Sequence, residues 1–217
     1  QMIMSIKTKK TLAIIGAGHL GQQIAHYAVS DQHYNNVVFF DDFNKNPSVN
    51  GYKILGPTDS VIKFYQKKIF DELIIGIGYK HLSVRKELFE KLNGKVPFGN
   101  IIHTSVWKDQ TAQVGAGCVI YPCCKLDANV VVKANTILNI ACTIAHDTVI
   151  ESHSFLSPRV AVAGFVTILQ ECIIGINSTI IDHIKITNKV QIGGGTVVIK
   201  SINKEGLYVG NPHRFIR

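Results

Sequence analysis

The chain has 217 residues, with 23 basic and 15 acidic side chains and a formal net charge of +8. That length suits one large domain or two small ones, and no run of some eighteen apolar residues occurs, so no membrane span is expected. The basic excess is spread along the chain, 13 basic against 8 acidic residues in 1–100 and 10 against 7 in 101–217. A nucleic-acid binder concentrates such charge in a patch or arm, so no nucleic-acid partner is expected, whereas a mild positive field suits small polyanions such as nucleotide diphosphates.

Residues 1–10 carry three lysines and no apolar core of signal-peptide length, and read as a loose tail. Thr11 to Ile15 is a short apolar run, and Gly16-Ala-Gly18-His19-Leu-Gly21 follows at once. A helix is expected from Gln22 to Val29, then a second strand, Val37 to Phe40, ending on Asp41 and Asp42. Leu73 to Gly78 is a third strand with a glycine-rich end. From His81 to Leu92 the residues Leu82, Arg85, Leu88, Phe89 and Leu92 recur at helical spacing. Strands alternating with helices imply a small α/β domain over 11–96, a half-Rossmann-like parallel sheet. Residues 97–113 are expected to form a hinge.

The loop Gly16-x-Gly18-x-x-Gly21 sits after a strand and before a helix, the context in which backbone N–H groups and a helix N-terminus hold a diphosphate. Asp41 lies twenty residues past Gly21, where a dinucleotide domain places its ribose-binding acid. The domain is only half the size of a full dinucleotide fold, so a mononucleotide diphosphate fits better than NAD. His19 would donate to a phosphate. The alternative is a tight turn with close helix packing and no ligand.

From Val114 every sixth residue is aliphatic, through Ile120, Leu126, Val132, Leu138, Ile144, Ile150, Leu156, Val162, Ile168, Ile174, Ile180, Ile186 and Ile192 to Val198. The residue four places after each is small or branched, from Cys118 to Ile202. No α-helix has a period of six, and a flat strand has a period of two. Six residues fit a short strand plus a corner, and three such sides close a triangular prism whose identical positions stack between coils. The fifteen hexads of 114–202 predict a β-helix of five coils, with 203–217 as a C-terminal segment. Cys118, Cys124, Cys142 and Cys172 fall on the small inward position and read as core filler; only Cys123 falls outside it. Five cysteines without zinc-type spacing point to a reduced, cytoplasmic compartment and no metal.

His146, in Ala145-His-Asp147, is the third residue of its hexad and so lies at a corner, pointing outward. Gly164 is eighteen residues on, at the same corner one coil later, and its missing side chain would open a slot beside His146. His183, also at a corner, reads as structural.

The chain resembles bacterial nucleotide-sugar N-acetyltransferases, close relatives of the sialic acid O-acetyltransferase family. The resemblance rests on Gly16-Ala-Gly-His19, Phe40-Asp-Asp42, Gly76-Ile-Gly78 with Arg85, and Ile102-His-Thr-Ser105. It continues in Ala145-His-Asp147 and Gly210-Asn-Pro212, and spans nearly the whole chain from Leu12. It implies a left-handed β-helix, an exception to the right-handed crossover rule, assembled as a homotrimer with acetyl-coenzyme A between neighbouring helices. It implies His146 as general base with Asp147 beside it, and a backbone amide at Gly164 near the acetyl carbonyl. It also places the nucleotide on Gly16, Gly18, His19, Asp41, Asp42, Gly78 and Arg85. Many relatives carry a second histidine where this chain has Phe155; His153 lies two residues earlier, and both are expected at the acetyl-donor site. The implied reaction is N-acetylation of a nucleotide-linked amino-dideoxy sugar. The alternatives are O-acetylation of a sialic-acid-like sugar and a β-helix that binds without catalysis.

Overall fold

The computed structural model describes residues 10–217; the tail expected at 1–10 lies almost wholly outside them. The described chain divides into two compact units, one of residues up to 76 together with 92–99, the other of 77–91 together with 100–217.

The first unit is built on a parallel sheet of β1 (Thr11–Ile15), β2 (Asn36–Phe40) and β5 (Glu72–Ile75), in the order β2-β1-β5. Ala13 pairs with Val38 on one side and Leu73 on the other. All three strands are buried apolar runs without alternation, as in a parallel sheet covered on both faces. Helix α1 (His19–Ser30) begins three residues earlier than its apolar pattern suggests and buries Gly21, Ile24, Ala25 and Ala28. Between β2 and β5 lie a small hairpin, β3 (Ser48–Val49) with β4 (Tyr52–Lys53), and α2 (Val61–Gln66). The hairpin turn Asn50-Gly51 has two left-handed residues, the pair a tight two-residue turn favours. Its signal was present in the sequence but is not framed by an apolar alternation.

The second unit is a parallel β-helix with three faces. The first face stacks Ile101–Ile102, Val119–Ile120, Ile137–Leu138, Phe155–Leu156, Ile173–Ile174 and Val190–Ile192, and is continued by Gly206–Val209 and Arg214–Phe215. The second runs from Trp107–Lys108 to Val197–Val198, and the third from Gln113–Val114 to Lys185–Ile186. Residues one coil apart pair at a spacing of eighteen, as Thr143 with Ala161 and Val149 with Thr167. The aliphatic position of every hexad from Ile120 to Val198 is buried, and so is the small position of every hexad from Cys118 to Ile202. Together these side chains form one continuous core, against which Val114 packs while partly exposed.

Two boundaries differ from the sequence reading. Residues 101–102 and 107–108, expected in a hinge, already pair with Val119–Ile120 and Lys125–Leu126. The β-helix therefore has about six coils and starts two sides before the aliphatic period does. The exposed Trp107 and Lys108 carry the backbone ladder there without the period. Helix α3 (Leu82–Leu92), expected to belong wholly to the α/β domain, groups with the β-helix through residue 91.

Each corner from Gly117 to Gly195 contains one residue with a left-handed backbone, the fourth of its hexad, including Asn129, Asn135, Asp147, His153, Phe165, Glu171 and His183. Its N–H reaches back one coil, as Asp147 N to Ala128 O at 2.9 Å and Phe165 N to His146 O at 3.1 Å. Asn and Asp tolerate this conformation best. The coil imposes it on Phe165 and His153 as well, at a cost of about 1–2 kcal/mol each.

Candidate active site

The corner between the second and third faces carries His146. In an extended strand Asp147 would point away from it. The left-handed backbone of Asp147 (φ 57°) turns its carboxylate back, so that Oδ2 lies 3.0 Å from His146 Nδ1. Asn129, one coil earlier, donates from Nδ2 to Asp147 Oδ1 at 3.0 Å. The His146 ring first, and the Asn129 amide second, hold the Asp147 carboxyl below its ordinary range. An ionised carboxylate only accepts, so the shared proton is assigned to His146 Nδ1, leaving the Nε2 lone pair outward. Gly164 lies against the ring: a Cβ there would lie 2.8 Å from His146 Cε1, 3.0 Å from Nε2 and 3.3 Å from Nδ1, so the slot left by the missing side chain holds the imidazole itself. The His146 side chain remains 48% exposed. An oriented, accessible imidazole seated against a glycine is the equipment of a general base.

His153 and Phe155 lie elsewhere. His153 sits at the next corner, between the third and first faces, and is only 5% exposed. There it joins Asn135 and Arg85 in a closed set. Arg85 Nη2 donates to Asn135 Oδ1 at 2.8 Å and to Asn135 O at 3.1 Å, and Nη1 donates to Ile77 O at 2.9 Å. A guanidinium only donates, which fixes the Asn135 amide: Oδ1 faces Arg85, and Nδ2 donates to His153 Nδ1 at 3.0 Å and to Arg85 O at 3.2 Å. His153 Nδ1 is thus an acceptor and its proton sits on Nε2. Burial pushes this histidine below its ordinary pKa, Glu90 pulls the other way, and Lys86 and Arg85 add to the depression. The Phe89 ring packs edge-on against His153, and Lys86 pairs with Glu171 at 3.0 Å, so α3 covers this corner. Phe155 is buried on the first face against Tyr79. The structure brings neither residue to His146 within the chain, because consecutive corners of a triangular coil face different ways.

Arg85, expected at the nucleotide, is 1% exposed and committed to the β-helix corner. Gly78 precedes the short turn that leads into α3, with open space where a side chain would be.

In the first unit the glycine loop is a rigid cradle. Asp41 Oδ2 accepts from Ala17 N at 2.7 Å, and Oδ1 accepts from Phe43 N at 2.9 Å and Asn44 N at 2.8 Å. Partial burial raises the Asp41 pKa, but these backbone donors outweigh it and hold the carboxyl below its ordinary range. Asp42 accepts from Thr58 N at 2.8 Å and from Thr58 Oγ1. Both acids therefore shape the loops around the cradle, whereas the sequence reading gave them to base or ribose. Gly21 lets α1 press on the loop, since a Cβ there would strike the Gly16 carbonyl. Gly18 precedes α1 with open space above it, and His19 is the exposed first residue of the helix. No acidic side chain stands in the first turn and no side chain caps it, so the positive end of the helix faces outward.

Asn129 and Asn135 escaped the sequence reading. Both stand eighteen residues before a residue it singled out, Asp147 and His153, so stacking at the coil period would have found them. Among the described residues no group of three or more His, Cys, Asp or Glu could hold a metal ion, and no helix is long and apolar enough to cross a membrane.

A hexapeptide-repeat β-helix matching the left-handed kind is the architecture of the class, an acyltransferase. Comparison with known proteins agrees. Residues 11–92 match the family model described as the PglD N-terminal domain, and the hexapeptide-repeat β-helix follows them in the chain. The acetyltransferase domain of PglB from Neisseria gonorrhoeae superposes with a TM-score of 0.88 at 25% identity, covering 96% of this chain and 100% of that chain. The same domain has been solved in complex with acetyl coenzyme A, with the same agreement. PerB from Caulobacter crescentus, in complex with CoA and GDP-perosamine, gives 0.86 at 21% identity over 95% of this chain and 97% of that chain. WeeI from Acinetobacter baumannii gives 0.80 at 23% identity over 95% and 99%.

Proposed function

We propose that the protein transfers the acetyl group of acetyl-coenzyme A to the amino group of a nucleotide-linked amino-dideoxy sugar. The observation that carries this reading is His146, with Nδ1 held by Asp147, its ring seated against Gly164 and its side chain half exposed. The matching domain solved with acetyl coenzyme A, and PerB solved with GDP-perosamine, support the choice of donor and acceptor class. The diphosphate docks at the glycine loop and the exposed start of α1, with Gly16, Gly18 and His19 around it.

In the reaction the amine attacks the thioester carbonyl, and His146 Nε2 takes its proton as the C–N bond forms. The backbone amide at Gly164 supplies a donor to the developing oxyanion. Collapse of the tetrahedral intermediate breaks the C–S bond, and the imidazolium returns the proton to the departing thiolate, releasing coenzyme A and the amide. Asp147 stabilises the imidazolium that forms between the two transfers. The active assembly is a homotrimer, working in the cytoplasm, where the five free cysteines stay reduced.

The test is thiol release from acetyl-coenzyme A against UDP-, dTDP- and GDP-linked amino sugars, each paired with its hydroxyl counterpart. Turnover with an amino sugar and none with its hydroxyl counterpart is expected. Transfer to a hydroxyl alone would reassign the protein as an O-acetyltransferase, and no transfer to any acceptor would overturn the enzymatic reading. Sedimentation should give a trimer; a stable monomer at working concentration would remove that part.

A further inference from the structure

One feature of the His146 corner is used by neither the base nor the slot. Phe165 follows Gly164, stands one coil after Asp147, and is 50% exposed. Its ring meets the His146 ring edge-on, with centroids 5.2 Å apart and planes at 87°. On the next coil the His183 ring stacks on Phe165 almost parallel, at 4.9 Å and 5°. Asp182 Oδ2 lies 3.7 Å from His183 Nε2. The Phe165 N–H also donates to the His146 carbonyl at 3.1 Å. Three rings on successive coils thus form a ladder whose first rung is the base.

We infer that Phe165, braced by His183, is a positioning residue that fixes the rotation of the His146 imidazole; this rests on the reading of His146 as the base. The physical need is clear from exposure. A half-exposed imidazole held by a single hydrogen bond rotates about χ2, a broad torsion, and a half-turn exchanges Nδ1 with Cδ2 and Nε2 with Cε1. In the turned state Cδ2 faces Asp147, Nδ1 loses the hydrogen bond that holds its proton, and a carbon stands where Nε2 offered its lone pair. An aromatic ring set perpendicular to the imidazole on its open side resists that rotation, and such pairs favour the edge-to-face arrangement seen here. The stack of His183 on the far face keeps Phe165 from swinging away. A bulky residue in the left-handed backbone of this corner (φ 57°) is uncommon, and asparagine takes that backbone more readily. Phe165→Asn therefore removes the ring without disturbing the coil.

The experiment measures kcat and both KM values for the full chain and its variants Phe165→Asn, Phe165→Tyr, His183→Ala and His146→Ala. It also records the imidazole 15N resonances of His146, identified by their loss in His146→Ala. Phe165→Asn should lower kcat by roughly two- to tenfold, the range an aromatic pair supplies, with both KM values unchanged and thermal stability kept. Its His146 signals should move from one tautomer, with the proton on Nδ1, to a mixture of two. Phe165→Tyr should restore both readouts, and His183→Ala should reproduce the change more weakly. An unchanged His146 spectrum and kcat in Phe165→Asn would overturn the inference. So would a rise in KM at constant kcat, which would make Phe165 a substrate contact. If instead His146→Ala keeps full activity, the base has been misassigned, while the tautomer signals still report whether Phe165 orients the ring.

Discussion

His146 and His153 stand seven residues apart on neighbouring corners of one β-helix, and they carry opposite tautomers. His146 meets a carboxylate, which accepts from Nδ1–H and leaves Nε2 with its lone pair in the open. His153 meets the amide of Asn135, which donates to Nδ1 and forces the proton onto Nε2, in a corner covered by α3. One arrangement is equipped to accept a proton from a substrate, and the other is closed by its own hydrogen bonds. The residue type is the same and the repeat phase differs by one position, so the difference lies in the partner, the next residue for His146 and one coil earlier for His153, and in what covers the corner.

The sharpest way to break this contrast is to delete each histidine. His146→Ala should lower kcat by roughly 10²–10⁴-fold, the usual contribution of a general base, while the melting temperature stays close to that of the parent. His153→Ala should do the reverse, leaving kcat within a few-fold but removing about 1–3 kcal/mol of stability through the unpaired Asn135 donor and lost packing. A large kcat loss in His153→Ala with unaltered stability would move the base to the third corner.

Asn135→Ala should cost about 2–3 kcal/mol in denaturant unfolding, because it takes the side-chain acceptor Oδ1 from the buried Arg85 guanidinium and the Nδ2 donor from His153. The same change at the exposed Asn129, which only steadies Asp147, should cost less than about 1 kcal/mol and show itself in kcat. Equal destabilisation at the two sites would mean that α3 does not close its corner as described.

Gly164→Ala tests the slot. The added Cβ must displace the His146 ring, whose tip is free to move, so the fold should survive. Activity should fall by about tenfold or more, the size of a misplaced catalytic group. An alanine enzyme with full turnover would show that the slot is wider than it needs to be.

The smallest effect is the pH dependence at His153. Its folded pKa is depressed by burial, so at mildly acid pH the unfolded chain binds a proton that the folded chain does not. Stability is therefore greatest above the unfolded value of about 6.5 and declines as pH falls from there toward the folded pKa. His153→Gln, which cannot titrate, should flatten part of that decline; His213, also depressed by burial first and Lys200 second, supplies another part. An unchanged slope in His153→Gln would show that His153 is already open to solvent.

Much of the β-helix was legible because its core is periodic. Every sixth residue from Ile120 to Val198 had to be aliphatic and every corner filler small, since identical positions stack on each other in a continuous core. The first two sides were not legible, because the ladder at Trp107–Lys108, which breaks the period, is built by backbone hydrogen bonds that any side chain permits. The strands and the glycine loop of the first unit were readable from apolar runs and spacing. The roles of Asp41 and Asp42 were not, because a carboxylate that binds ribose and one that ties two loops together look alike in a sequence.

The sequence by itself determined the repeat, the corner on which His146 stands, and Gly164 opposite it, since all three follow from counting in sixes and eighteens. Only the tertiary structure decided what those positions do. It turned Asp147 back onto its neighbour through a left-handed backbone, drew Arg85 from the expected nucleotide site into a buried network with Asn135, and set Phe165 against the base. Those outcomes depend on pairing across coils and on which corner a helix covers, and neither is encoded in the residues that are paired.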